Sequence, residues 1–122
     1  MNAGAKAYET TGRNLAQGRV AEALALSKAA RALEGAKKDG QDRKKMREAL
    51  RFNKMVWTAV QAEIMDKGST LPRRLKASLM SLSIFVDRVL SEAEETFDPS
   101  QIQALIDINR EMASGLMTSN DT

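Results

Sequence analysis

Glu92 and Glu95 stand three residues apart in an acidic run and could share a cation on one helical face. Nothing joins them in that task, because the chain contains no histidine and no cysteine. Carboxylates without histidine make a weak di-iron site, and an exposed acidic helix end is the simpler reading. The missing residue types also close the imidazole-dependent and thiol-dependent routes of acid–base and nucleophilic catalysis. Zinc sites built from Cys and His are closed for the same reason. The glycines of Gly35-Ala36-Lys37-Lys38-Asp39-Gly40 lack the spacing of a phosphate-binding loop. Serine–lysine pairs remain formally open, but no spacing singles one out. The expectation is a protein without catalytic activity, cofactor, metal or small-molecule substrate.

Two other groups of residues are suited to binding. The first is a basic cluster of Lys37, Lys38, Arg43, Lys44, Lys45, Arg47 and Arg51. Such cations neutralise phosphates or face an acidic protein. No aromatic residue is interleaved among them, whereas recognition of single-stranded RNA usually stacks bases on aromatic rings. Charge is unevenly spread along the chain. Residues 1–54 carry 13 Lys and Arg against 6 Asp and Glu, and residues 55–122 carry 6 against 10. The lopsided field favours an acidic partner at the basic end, although a solvated helical surface is the plainer reading.

The second group is apolar. Phe52 and Met55 fall off the main stripe of their helix, as do Met80 and Ile84 of the next, with Phe85 to one flank. Burial on two faces would explain them, and so would a groove for a partner's amphipathic helix. The seven methionines fit either, since the thioether adapts to irregular contacts. Trp57, the single tryptophan, lies mid-stripe and reads as a core anchor.

The elements that must position these residues are helices. With 122 residues the chain suits one domain, and its composition is rich in Ala, Leu, Lys, Arg and Glu with 4% aromatics. Residues 1–14 read as a flexible arm, with at most a helical turn at Ala5–Tyr8. A first helix is expected from about Arg19 to Lys38, with Leu26, Ala30 and Leu33 inward and Val20 and Leu24 beside them. Asp39-Gly40 ends it. A second runs from about Asp42 to Asp66, its stripe being Met46, Leu50, Asn53, Trp57, Val60 and Ile64. A third opens at Pro72, with Leu75, Leu79, Leu82, Val86 and Leu90 in line. A fourth starts at Asp98-Pro99, where Asp98 caps, Gln101 completes a capping box, and Phe97 with Ile102 forms a hydrophobic staple. The fold class is all-α: a small antiparallel bundle of about four helices. It comprises an arm over 1–14, a single bundle domain over 15–116 and a disordered tail over 117–122. No secretory signal or membrane-length apolar run is visible, so the expected location is the cytoplasm.

The order of motifs is itself informative. Ala49-Leu50-Arg51-Phe52-Asn53-Lys54-Met55-Val56-Trp57 is followed by Leu71-Pro72-Arg73-Arg74-Leu75-Lys76-Ala77-Ser78-Leu79-Met80-Ser81-Leu82 and then by Ile102-Gln103-Ala104-Leu105-Ile106-Asp107-Ile108-Asn109-Arg110. Together with the early Ala7-Tyr8, this set resembles the FlaF family of flagellar biosynthesis regulators from alphaproteobacteria. The likeness is strong over residues 42–116 and looser before them. Phe85 departs from it, standing where many members carry tryptophan, and Asp87-Arg88-Val89 replaces a basic–acidic pair. The resemblance implies a small helical protein needed for flagellin synthesis and export. It would act after transcription with FlbT and bind flagellin as a secretion chaperone, at one of flagellin's terminal helices. The off-stripe residues Phe52, Met55, Met80, Ile84 and Phe85 are then the expected contacts. Direct binding of flagellin mRNA through the basic cluster is the alternative, and self-association a third reading.

Overall fold

Short polar links separate four segments whose apolar residues recur at helical spacing, and each segment is a helix. A computed structural model describes the backbone of residues 3–40, 42–68 and 71–118 and, within them, the side chains of residues 20–117. The helices are α1 (Ala3–Lys38), α2 (Arg43–Met65), α3 (Arg73–Thr96) and α4 (Pro99–Thr118), and no strand occurs among the described residues. The expected tail over 117–122 overlaps the last turn of α4, and residues 119–122 lie outside the described set.

Helical backbone begins at Ala3, well before the start near Arg19 that apolar periodicity marks. Periodicity reports only the part of a helix that packs. No proline interrupts residues 1–38, and an isolated glycine costs a helix only about 1 kcal/mol. Residues 3–14, expected as an arm, thus carry helical backbone, and their side chains lie outside the described set.

The ends follow from local chemistry. Gly40 takes a positive φ of 39° where the chain leaves α1, a conformation that favours glycine. Asp42 caps α2 by accepting from the Lys45 amide at 3.0 Å. Pro72, expected at the first helical position of α3, sits instead at its N-cap, and the helix starts at Arg73. Phe97 closes α3 with φ 52°, its amide donating to the Ala93 carbonyl at 2.8 Å. A left-handed non-glycine residue costs roughly 1–2 kcal/mol, offset here because the ring packs against the core. Asp98 caps α4 through the Ser100 amide at 2.9 Å and hydroxyl at 2.8 Å. Hydrogen bonds from the Ser100 hydroxyl and then its amide hold the Asp98 carboxyl below the usual carboxylate range. Gln101 turns back to α3 instead of closing a capping box, donating to Glu92 at 2.7 Å.

α1 packs on α2 and α4, α2 also on α3, and α3 more lightly on α4, which closes a four-helix ring. Neighbours are antiparallel: Glu34 pairs with Arg110 and Lys37 with Gln103 between α1 and α4. Between α2 and α3, Lys54 meets Glu94 and Gln61 meets Asp87. The core collects Leu26, Ala30 and Leu33 of α1, the whole expected α2 stripe, Val86 and Leu90 of α3, and Ile102, Leu105 and Ile106 of α4. Leu79 and Leu82 are half-buried, and Leu75 is 44% exposed although it lies in the expected stripe. It belongs to the first turn of α3.

A polar ladder crosses this core. The Trp57 indole N–H donates to Asn109 Oδ1 at 2.8 Å. Asn109 Nδ2 donates to Asn53 Oδ1 at 2.6 Å, and Asn53 Nδ2 donates to the Ala49 and Ala29 carbonyls at 2.8 and 3.2 Å. Trp57, Asn53 and Asn109 are fully buried. The ladder ties α2 to α4 across the ring and to α1 beside it. No buried side-chain N or O among the described residues lacks a hydrogen-bond partner.

Candidate functional site

The five off-stripe residues separate into two places. Phe52 is half-buried on the α1 side of α2, and the Lys28 ammonium of α1 lies 5.5 Å from its ring centroid. Met55, one turn on, is 66% exposed. Together they wall an apolar groove of about 360 Å³ between α1 and α2, floored by Ala21 and Ala25 from one helix and Val56, Ala59 and Val60 from the other. The small alanine side chains are what keep it open. Leu24, at 62% exposure, belongs to the same stretch of α1.

On α3 the apolar residues diverge. Met80 is half-buried against the core, its sulfur 3.6 Å from the Ser83 hydroxyl. Ile84 is 61% exposed, and Phe85 is 40% exposed with the Arg88 guanidinium 5.4 Å from its ring centroid. At 100° per residue, Met80 and Phe85 point about 140° apart around the helix axis. The structure therefore gathers Phe52 and Met55 with the alanines of α1, and leaves Ile84 and Phe85 on outer faces of α3. The α1 contribution was missed from sequence, although the four-residue spacing of Ala21 and Ala25 was an available signal.

All seven residues of the basic cluster are exposed. They gather where α1 ends and α2 begins, and several already have partners. Lys37 donates to Gln103 Oε1 at 2.7 Å. Lys45 pairs with Asp39; their hydrogen bond, and then the charge of Asp39, raise its pKa above the ordinary lysine value. Arg43 and Arg47 lie 5.5 and 5.8 Å from the Phe97 ring centroid. That ring comes from the end of α3, so the cluster does hold an aromatic, one supplied from far along the chain. Lys38, Lys44 and Arg51 have no ion-pair partner among the described residues. A cavity of about 340 Å³ lies at this end among Lys37, Arg43, Met46, Phe97 and Ile102.

Glu92 is engaged with Gln101, and among the described residues no three acidic, histidine or cysteine side chains are grouped to hold a metal ion. No described helix is long and apolar enough to cross a membrane.

Fold and surface together define a small all-α bundle that keeps large apolar side chains outside its core. The chain matches the model of a family described as flagellar protein FlaF over residues 4–116, and it belongs to that family. No curated protein and no solved structure matches it.

Proposed function

We propose that this protein is a cytoplasmic, non-catalytic regulator of flagellar biosynthesis. In this reading it binds flagellin as a secretion chaperone or adaptor, covering one of flagellin's terminal helices, and tunes flagellin synthesis after transcription together with FlbT. Membership of a flagellar protein family supports the setting. The observation that carries the binding role is the groove between α1 and α2, with Met55 exposed on its wall. Exposed side chains of that size fit a helix laid in a groove, the mode by which amphipathic segments are commonly held.

Direct binding of flagellin mRNA is favoured only by the exposed cations. Lys45 is paired with Asp39, Arg43 and Arg47 lie against the Phe97 ring, and the acidic end of α3 leads into that ring.

Titration calorimetry of the whole protein with flagellin checks the reading. The expected result is a one-site isotherm, with affinity lowered at least about tenfold in Met55→Asp. Thermal stability should stay near that of the wild type, because the Met55 side chain stands mostly in solvent. Absence of heat and of co-sedimentation with flagellin would end the chaperone reading.

A further inference from the structure

α3 is held unevenly along its length. Among the described residues, every polar link from its side chains to another helix lies in its second half, as in Asp87 to Gln61, Glu94 to Lys54 and Glu92 to Gln101. Its buried residues begin only at Ser83. Extending the register of the Gln61–Asp87 and Lys54–Glu94 pairs puts Ser83 level with Met65, the last residue of α2. Residues 73–82 therefore reach past the helical end of their neighbour. Only Leu79, Met80 and Leu82 of this stretch rest against the core, and all three are half-buried. Its start is unfavourable as well. Pro72 at the N-cap offers no side-chain acceptor to the free amides of the first turn. Arg73, Arg74 and Lys76 set three cations at the positive end of the helix dipole, and no acid stands among residues 67–86. Ser78, Ser81 and Ser83 are weak helix formers. The buried Ser83 hydroxyl turns back to the Met80 carbonyl at 2.9 Å, a bond that competes with the helix ladder.

We propose that residues 73–82 form a hinged strap: the start of α3 moves between Arg73 and Ser83 by local unfolding while the rest of the bundle stays closed. The polar ladder does not depend on the strap, because it joins α2 to α4 and α1 alone. Val86, Val89, Leu90 and Ala93 keep the second half of α3 seated. Opening gives up about three helical turns and the contacts of three half-buried side chains, and it frees the cations from the dipole. Moving elements are drawn from such weakly held parts of a fold. Once open, the strap continues the link from α2 as one cationic segment, with Lys67, Arg73, Arg74 and Lys76 set against Asp66. It stands apart from the groove, whose lining comes from α1 and α2, so it does not rest on the chaperone reading.

Native-state hydrogen exchange of the full chain, read residue by residue by NMR, is the test. Amides 77–82 should exchange at least about 100-fold faster than amides 86–93 of the same helix. Their rates should hold steady in low urea, because a local opening exposes little surface. Amides 86–93 should instead follow global unfolding and speed up as urea is added. Pro72→Asp supplies the missing cap and should slow amides 77–82 about three- to tenfold, with 86–93 unchanged. Arg73→Glu, which reverses a charge at the positive end of the dipole, should act in the same direction. Equal protection in the two halves of α3, or a urea dependence shared by both, overturns the proposal, because α3 then opens only with the whole bundle. Exchange of 77–82 at the rate of an unstructured peptide overturns it too, since the strap would have no closed state. Slowing of both halves alike in Pro72→Asp would show that no hinge separates them.

Discussion

Trp57→Ala is expected to destabilise the protein by about 3–5 kcal/mol, the range for truncating a large buried aromatic side chain. Trp57 is fully buried at the centre of the α2 stripe and reaches across the ring to α4. Its loss opens a cavity and also strands the Asn109 carbonyl oxygen that now accepts its N–H. A domain of this size has about 5–15 kcal/mol in hand, so the loss is a large share of the total. Urea melts followed by circular dichroism measure it, since the variant has no other tryptophan to report. The midpoint should fall with little change in slope. Trp57→Phe separates the two contributions: it keeps most of the packing and removes one hydrogen bond, so about 1–3 kcal/mol should be lost. Equal losses in the two variants would mean that packing around the ring contributes nothing.

Asn109→Leu is expected to cost about 2–6 kcal/mol, because two buried groups lose their partner together, at about 1–3 kcal/mol each. These are the Trp57 N–H and the Asn53 carbonyl oxygen. Adding Asn53→Leu removes one of those orphans, so the double variant should be more stable than the sum of the single losses, by at least about 1 kcal/mol of coupling. Strict additivity would show that the side chains do not act as one network. The ladder also bears on the groove, because Asn53 holds the α1 backbone at Ala29, one turn beyond Ala25. The spacing of α1 and α2 that keeps the groove open is fixed partly from inside.

Much of the fold was legible in the sequence. The α2 stripe from Met46 to Ile64 is buried at every expected position, because helical periodicity is a property of the chain itself. Asp42, Pro72 and Pro99 mark helix starts for the same local reason, within a residue of their expected roles. Relations between helices were not legible. Asn53 stood in the stripe, but its partner Asn109 lies 56 residues away, and no local pattern joins them. The same holds for Phe97 beneath Arg43 and Arg47. Periodicity gives an angle about one axis and no knowledge of what stands opposite. Phe52 and Met55 therefore looked equivalent to Met80 and Ile84, until the neighbours showed that one pair borders α1 and the other does not. Leu75 has an inward angle and remains exposed because it lies in the first turn of its helix.

The docking face is tested most directly by a methyl spectrum of the whole protein with carbon-13 at its methionine methyl groups, recorded as unlabelled flagellin is added. The side chains report on separate regions: Met46 in the core beside the basic end, Met55 in the groove, Met65 at the close of α2, Met80 on α3, Met112 and Met117 on α4. Docking between α1 and α2 requires the Met55 signal to shift or broaden first and furthest, with Met46 and Met112 almost still. A Met55 signal unmoved at saturation, while Met80 or Met117 responds, would place the partner elsewhere and remove the groove from its role.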